Sequence, residues 1–547
     1  MKVLRKNSTA SKVRRIVLTI VIIFLMFWFM LPAINPRNSG FWTFLILCVV
    51  VCIVINAFST LREGLAQGFA GSRSRGQWRQ VNKLTRFLVG LVLFVFALMI
   101  VASIIGAPIF NAGRYQRLIT IEEGNFTEDV AELSMSNIPV VDRDTAVQLG
   151  KRKLGEISDL VSQFEIQSNY TQINYHNSPY RVTPLAYGDI IKWINNQREG
   201  LPAYIMVNMV TQEATLVRLE EGMKYSPSEY FMRNINRHLR FKYPTKIFDT
   251  ISFEIDEEGT PYWVAPTIKY RIGIWSGKDI GGAILCNAIT GESQYYSMDE
   301  LPAWVDQVVI SELIIGQLNY SGKYISGFFN SIFGQKGVLQ TTEGYNYIAV
   351  GDDVYLYTGM TSVTSDESNV GFVLVNMRTK ETKFYSIPGA EEYSAMESAQ
   401  GQVQHLRYSA TFPILLNVSD RPTYFMSLKD SAGLVKMYAF VDVQQYQVVG
   451  TGPTVNEARA DYISKLKNED INIGSSGGEE ITGKVGTISS AVIDGNTRFY
   501  FMLDGDTHVY TADISVSERL PFLREGDNVT FSFIEINDNL REVSEMN

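Results

Sequence analysis

Ala283-Ile-Leu-Cys-Asn-Ala-Ile-Thr-Gly-Glu-Ser-Gln-Tyr-Tyr296 is an apolar strand, an asparagine, a turn carrying Thr and Gly, and a second, alternating strand. The same phrase recurs at Tyr204–Leu219, at Phe372–Tyr385 and, more loosely, at Met437–Val449. Asn208, Asn376 and Asp442 then stand where the first copy has Asn287. Spacings of 79, 89 and 66 residues are too uneven for a solenoid. They predict repeated small α+β units separated by insertions of variable length. The phrase is structural in its chemistry, because an Asn or Asp side chain bonds its own backbone and tolerates the bend.

Gly259-Thr-Pro-Tyr-Trp-Val-Ala265 and Arg421-Pro-Thr-Tyr-Phe-Met-Ser-Leu-Lys429 read as strands upstream of the second and fourth phrases. Helices are expected over Pro302–Gln317 and Val455–Lys467. Another is expected from Asp144, as its cap, through Val147, Leu154, Ile157, Val161 and Phe164. The order Gly-x-Pro-Tyr-Trp-Val … Asn-Ala-x-Thr-Gly-Glu over 259–292 resembles the PepSY module of bacterial envelope proteins. Pro422-Thr-Tyr-Phe … Val441-Asp-Val443 resembles it more faintly, and only the second unit keeps the Thr-Gly-Glu turn. The resemblance implies a helix packed on a small antiparallel sheet, in a module that accompanies peptidases or wall-associated factors as inhibitor or regulator. It brings no active-site residue with it.

Gly474–Glu480 is a flexible linker by composition. Residues 481–547 follow with short strands and a Gly526-Asp-x-Val529 approach to the last hairpin, which resembles an OB-fold barrel. Such barrels often hold single-stranded nucleic acid, but acids outnumber basic residues here, so a packing or protein-binding barrel is expected and nucleic acid is not.

Upstream, three apolar runs at 16–34, 41–58 and 87–110 each match the roughly 20 residues that cross a bilayer. Lys2, Arg5, Lys6, Lys12, Arg14 and Arg15 precede the first run. Arg62, Arg73, Arg75, Arg79, Lys83 and Arg86 separate the second from the third. The positive-inside rule therefore predicts a multi-pass protein with its N-terminus inside and everything after about residue 111 outside, and an ectodomain with Cys286 as its one cysteine suits a bacterial cytoplasmic membrane. The basic stretch Gly71–Arg79 is expected at lipid headgroups. Charge divides accordingly: residues 1–110 hold 13 basic residues and one acid, and the rest 36 basic residues and 56 acids. The expected order is thus a membrane region (1–110), a polar lead-in (111–143), a multi-unit α+β ectodomain (144–473), the linker (474–480) and the barrel (481–547).

With 46% apolar and 19% charged residues the chain is not a disordered one. His176, His238, His405 and His508 are scattered, and neither a zinc spacing nor a nucleophile elbow, Walker loop or Rossmann fingerprint stands out. No cofactor, metal or catalytic residue is therefore assigned. Cys286 reads as a buried structural thiol, and Asp352 and Asp353 as solvated turn acids with calcium as the alternative. Two segments are candidate partner surfaces. Tyr324–Phe333 as a helix puts Ile325, Phe328, Phe329 and Ile332 on one face, for the core, a partner or the outer leaflet. Gly389–Gln404 is a polar helix with Ala395, Met396 and Ala399 as a slim contact face, and Glu391, Glu392, Glu397 and Gln404 free to read a partner or to be solvated. The expected function is a non-catalytic envelope scaffold or regulator, anchored in membrane lipid, that binds a protein outside the membrane. The alternative is an envelope hydrolase or metal-dependent enzyme with a site assembled from distant residues.

Overall fold

The computed structural model describes residues 9–68, 83–132, 138–248, 250–351, 353–363, 368–469, 479–493, 496–517, 519–537 and 539–546. The linker, except its last two residues, and the Gly71–Arg79 loop lie outside them. Four times the chain forms a helix and then an antiparallel meander. The first unit is helix Arg143–Gly155 followed by strands Phe164–Ile166 and Thr171–Tyr175 on one edge, then Ser178–Tyr187, Leu201–Asn208 and Ala214–Met223. The second is Ile235–Lys242, then Ser252–Ile255, Pro261–Ile272, Ser276–Asn287 and Ser293–Ser297. The third is Ser311–Lys323, then Asn346–Val350, Asp353–Ser362, Ser368–Asn376 and Thr382–Tyr385. The fourth is Glu392–Gln402, then Ile414–Val418, Arg421–Lys429, Val435–Asp442 and Val449–Gly452, with helix Val455–Asn468 laid across the last strands. A Cβ on Gly450 would sit 2.3 Å from the Tyr462 amide, so glycine is what lets that helix approach.

The repeated phrase is the turn from the third to the fourth strand of every meander. Asn208 Oδ1 accepts from the amides of Val210 and Thr211 at 2.8 and 2.9 Å. Asn287 does the same with Ile289 and Thr290, and Asn376 with Arg378 and Thr379, all at 2.9 Å. Asp442 takes Gln444 and Gln445 at 3.0 and 2.7 Å. In the first three, the residue four places on is left-handed: Gln212, Gly291 and Lys380, with φ of 61°, 76° and 69°. Only one of these is glycine, and the other two side chains make contacts between units. Gln212 donates to the Tyr438 hydroxyl at 3.0 Å, and Lys380 to Asp279 at 2.6 Å. Asn287→Ala, which strips two amides of their acceptor, is expected to cost about 1–2 kcal/mol in a denaturant melt. Asn287→Asp should stay within about 0.5 kcal/mol of the parent, because the acceptor survives.

One core cluster runs through all four units, from Val182, Tyr204 and Trp263 by way of Tyr357 and Phe372 to Phe425 and Tyr462. A second fills the space between the sheets of units two and three, with Val264, Leu285, Leu318, Leu356 and Val373. Beyond unit four, strands Glu479–Ile493, Asn496–Leu503, Val509–Asp513, Asn528–Asn537 and Leu540–Met546 pair in the order first, second, third, fifth, fourth, and the fourth pairs back to the first.

Three expectations are corrected. Helix Ser311–Lys323 starts well after Pro302, because the β-branched stretch before it is extended: the Val308 and Val309 amides bond Met377 O. Asp142, not Asp144, caps Arg143–Gly155, accepting from the Thr145 amide at 2.9 Å. Two helices, not three, are long and apolar enough to cross a membrane among the described residues: Val13–Met30 and Arg86–Ile105. The described apolar part of the second expected span, Ser39–Ile55 in helix Ser39–Gly68, is shorter. Its 17 residues rise roughly 25 Å, less than a bilayer core of about 30 Å.

Candidate functional site

A cleft of about 590 Å³ opens where all four units meet. Unit one supplies the edge strand Thr171–Tyr175 and Arg181, and unit two supplies Ser252 and Pro266. Unit three adds the start of helix Ser311–Lys323 and Tyr347; unit four adds Phe412. Strand edges from three sheets converge here, which is why the lining is polar: backbone and side chains at a sheet edge lack the neighbour that an interior strand would have.

Arg181 dominates the lining. It is 7% exposed, with Nε 3.5 Å from Val141 O and Nη2 3.3 Å from Gln172 Oε1. Among the described residues it makes no ion pair. Burial therefore pushes its guanidinium down to about 10. Asp142, which acts on it through space, has both carboxylate oxygens 2.6 Å from Lys429 Nζ. Across the cleft the Tyr347 hydroxyl lies 2.5 Å from Ser311 Oγ, and its pKa is raised by burial. A buried cation held only by neutral acceptors is suited to an incoming carboxylate, with which it can form a two-pronged, charge-assisted pair.

Behind the cleft, two buried acids clamp the connector to unit three. Glu254 takes the Asp306 amide at 2.9 Å and the Ser252 hydroxyl at 3.1 Å. Asp306 in turn accepts the Asn174 amide at 2.6 Å. Full burial raises the Glu254 carboxyl to about 7. Glu229 and Glu392 are also raised by burial, and both are internal braces: Glu229 takes Tyr187 and Trp193 at 2.8 and 2.7 Å, and Glu392 takes Tyr357 and the Gly359 amide at 3.0 and 2.9 Å.

The candidate surfaces of the sequence lie elsewhere, and apart from one another. Phe328 is half-buried beside Tyr324, while Phe329 and Ile332 are exposed on a short helix and π-turn at Gly327–Gly334. On helix Glu392–Gln402, Glu397 is exposed, Met396 packs on the core, and Glu392 points inward as described. Glu391 precedes the helix, and Gln404 lies exposed beyond it. Cys286 is buried and its thiol is pushed up to about 12. Asp353 is not a solvated turn acid: Arg378 holds it at 2.6 Å, and Asp352 lies outside the described residues. No group of three His, Cys, Asp or Glu placed to hold a metal occurs among the described residues.

No protein-family model and no curated protein matches this chain. Among solved structures, a mutant levansucrase of B. megaterium aligns over 77% of this chain and 97% of its own, at 10% identity and a TM-score of 0.17. That value is too low to indicate a shared fold.

Arg181 was the residue missed by sequence reading. Its one local signal is a lone cation within the otherwise uncharged run Tyr180-Arg-Val-Thr-Pro-Leu-Ala-Tyr187.

Proposed function

We propose that this is a membrane-anchored envelope protein that works without catalysis, as a scaffold or regulator, and that its four-unit cleft receives an acidic segment of a protein partner outside the membrane. The observation that carries this reading is Arg181, a buried cation without an ion pair among the described residues, in a cleft whose lining draws on all four units. The anchoring rests on two apolar helices; an ectodomain outside with the N-terminus inside further requires helix Ser39–Gly68 to return through the bilayer between them, and the basic clusters before the first helix and after Ser39–Gly68 favour that orientation. The likeness to PepSY modules, helix on small antiparallel sheet, agrees with a regulatory rather than chemical role. The strand order of residues 479–546 supports an OB-like barrel acting as a further protein-binding module.

The test is in-cell crosslinking of the tagged full-length protein, detergent purification and quantitative mass spectrometry, with Arg181→Met in parallel. A stoichiometric partner should be recovered and should fall about tenfold in the variant, the loss of one charge-assisted pair. Recovery of the chain alone from both, or equal recovery of the partner, contradicts the proposal. A melting curve confirms that Arg181→Met is folded.

A further inference from the structure

We infer that the ectodomain does not stand clear of the membrane but sits on it, with two aromatic wedges sunk into the adjacent lipid leaflet. This rests on the membrane-anchored reading above. The hairpin tip at 272–276 lies between the ends of the membrane helices. Trp275 Nε1 and Trp42 Nε1 both donate to Pro36 O, at 2.9 and 2.7 Å, and Ile34 N bonds Pro244 O. Gly106, just past the membrane helix ending at Ile105, is so close to Ser276 that a Cβ there would lie 2.3 Å from its hydroxyl. The base is thus fixed at the level of the helix ends, and what it exposes there faces headgroups.

It exposes large apolar side chains on two sides. On one, helix Pro108–Gln116 follows the membrane helix ending at Ile105 after two residues and packs its Tyr115 against Tyr320 and Tyr324. This brings Gly327–Gly334 beside the membrane, where Phe329 is 66% and Phe333 80% exposed, with Phe110 68% exposed on the short helix itself. On the other side, Trp28 at the end of the first helix stacks edge-on against Phe241 and under the Arg237 guanidinium at 4.4 Å. Phe231, 65% exposed, lines a pocket with Trp28 and Phe29. Its φ of 50° is a conformation that a bulky side chain avoids unless the surroundings hold it there.

Charge marks the same surface. Residues 111–547 carry an excess of twenty acids, yet the stretches 108–119, 231–246, 269–278 and 313–342 contain no acid and twelve basic residues, of which Lys269 and Arg271 pair with Asp279 just beyond. The first continues the membrane helix ending at Ile105, the second and third touch the ends of the membrane helices at Trp28, Pro36 and Gly106, and the fourth packs on helix Pro108–Gln116. Exposed rings rimmed by cations, continuous with membrane helices, fit anionic lipid and an interfacial depth.

The experiment uses the full chain with Cys48→Ser and Cys52→Ser, reconstituted in phosphatidylcholine–phosphatidylglycerol vesicles. An environment-sensitive fluorophore is placed in turn at Phe333→Cys, Phe231→Cys, Leu93→Cys in the membrane helix Arg86–Ile105, and Phe522→Cys, an exposed ring on the C-terminal domain. Lipids brominated near the headgroup should quench the probes at 333 and 231 about twofold more than the probe at 522. Deeply brominated lipids should quench the probe at 93. Quenching at 93 with 333 or 231 behaving like 522 overturns the wedges and leaves the anchor standing. No quenching at 93 overturns the anchor and the wedges together.

Discussion

Arg421→Met is expected to destabilise the ectodomain by about 3–5 kcal/mol, because it leaves a buried carboxylate without its counter-charge. Asp442 is fully buried at the turn of the fourth unit. Arg421 meets it with Nε at 2.6 Å and Nη2 at 3.0 Å, and the Tyr462 hydroxyl donates to it at 3.0 Å. The same carboxylate accepts the turn amides, so the ion pair, the turn and helix Val455–Asn468 are secured at one point. Asp442→Asn alone keeps an acceptor for the turn but strands the guanidinium. The double substitution should recover a large part of the loss, since neither charge is then left alone. Chemical denaturation of the four proteins completes the cycle. Strictly additive losses would show that the pair is not the unit of stability.

Glu254→Gln is expected to change the pH dependence of stability rather than merely its size. In the folded chain the Glu254 carboxyl is raised to about 7 from an ordinary 4.5. The folded state therefore holds its proton more tightly than the unfolded state. The stability this provides is complete below about pH 4.5 and is lost as pH rises through about 7. Over that interval it amounts to about 3 kcal/mol. The amide cannot ionise, so Glu254→Gln should melt near the parent at pH 5 and clearly above it at pH 8. Parallel pH profiles for the two proteins would contradict this. The consequence reaches the cleft, since Glu254 holds Asp306 and, through it, the strand edge next to Gln172.

The four turns were legible in the sequence because everything that makes them is local: an Asn or Asp, and amides two and three residues on. The helices were less so. Pro302–Ile310 has apolar residues at spacings that a helix also uses, but Val305, Val308 and Val309 are packed from an extended connector. Glu392 reads as a surface acid on a polar helix, and only the tertiary fold supplies the Tyr357 hydroxyl and the Gly359 amide that draw it inward. The cleft was invisible for a stronger reason. Its lining runs from Asp142 to Phe412 and draws on every unit, so no spacing within one segment encodes it. What the sequence did show was the charge division between the two parts of the chain, which is read by counting residues and needs no tertiary contact.

The central claim, that the cleft faces the outside of the cell on a membrane-anchored body, has a direct measurement. In the chain lacking Cys48 and Cys52, with Cys286 buried, added cysteines at Glu312→Cys, exposed on the cleft, and at Ser8→Cys are exposed to a membrane-impermeant maleimide on intact spheroplasts. The account predicts labelling at 312 without permeabilisation and at 8 only after it. Labelling at 312 only after permeabilisation would place the cleft inside the cell and contradict the account.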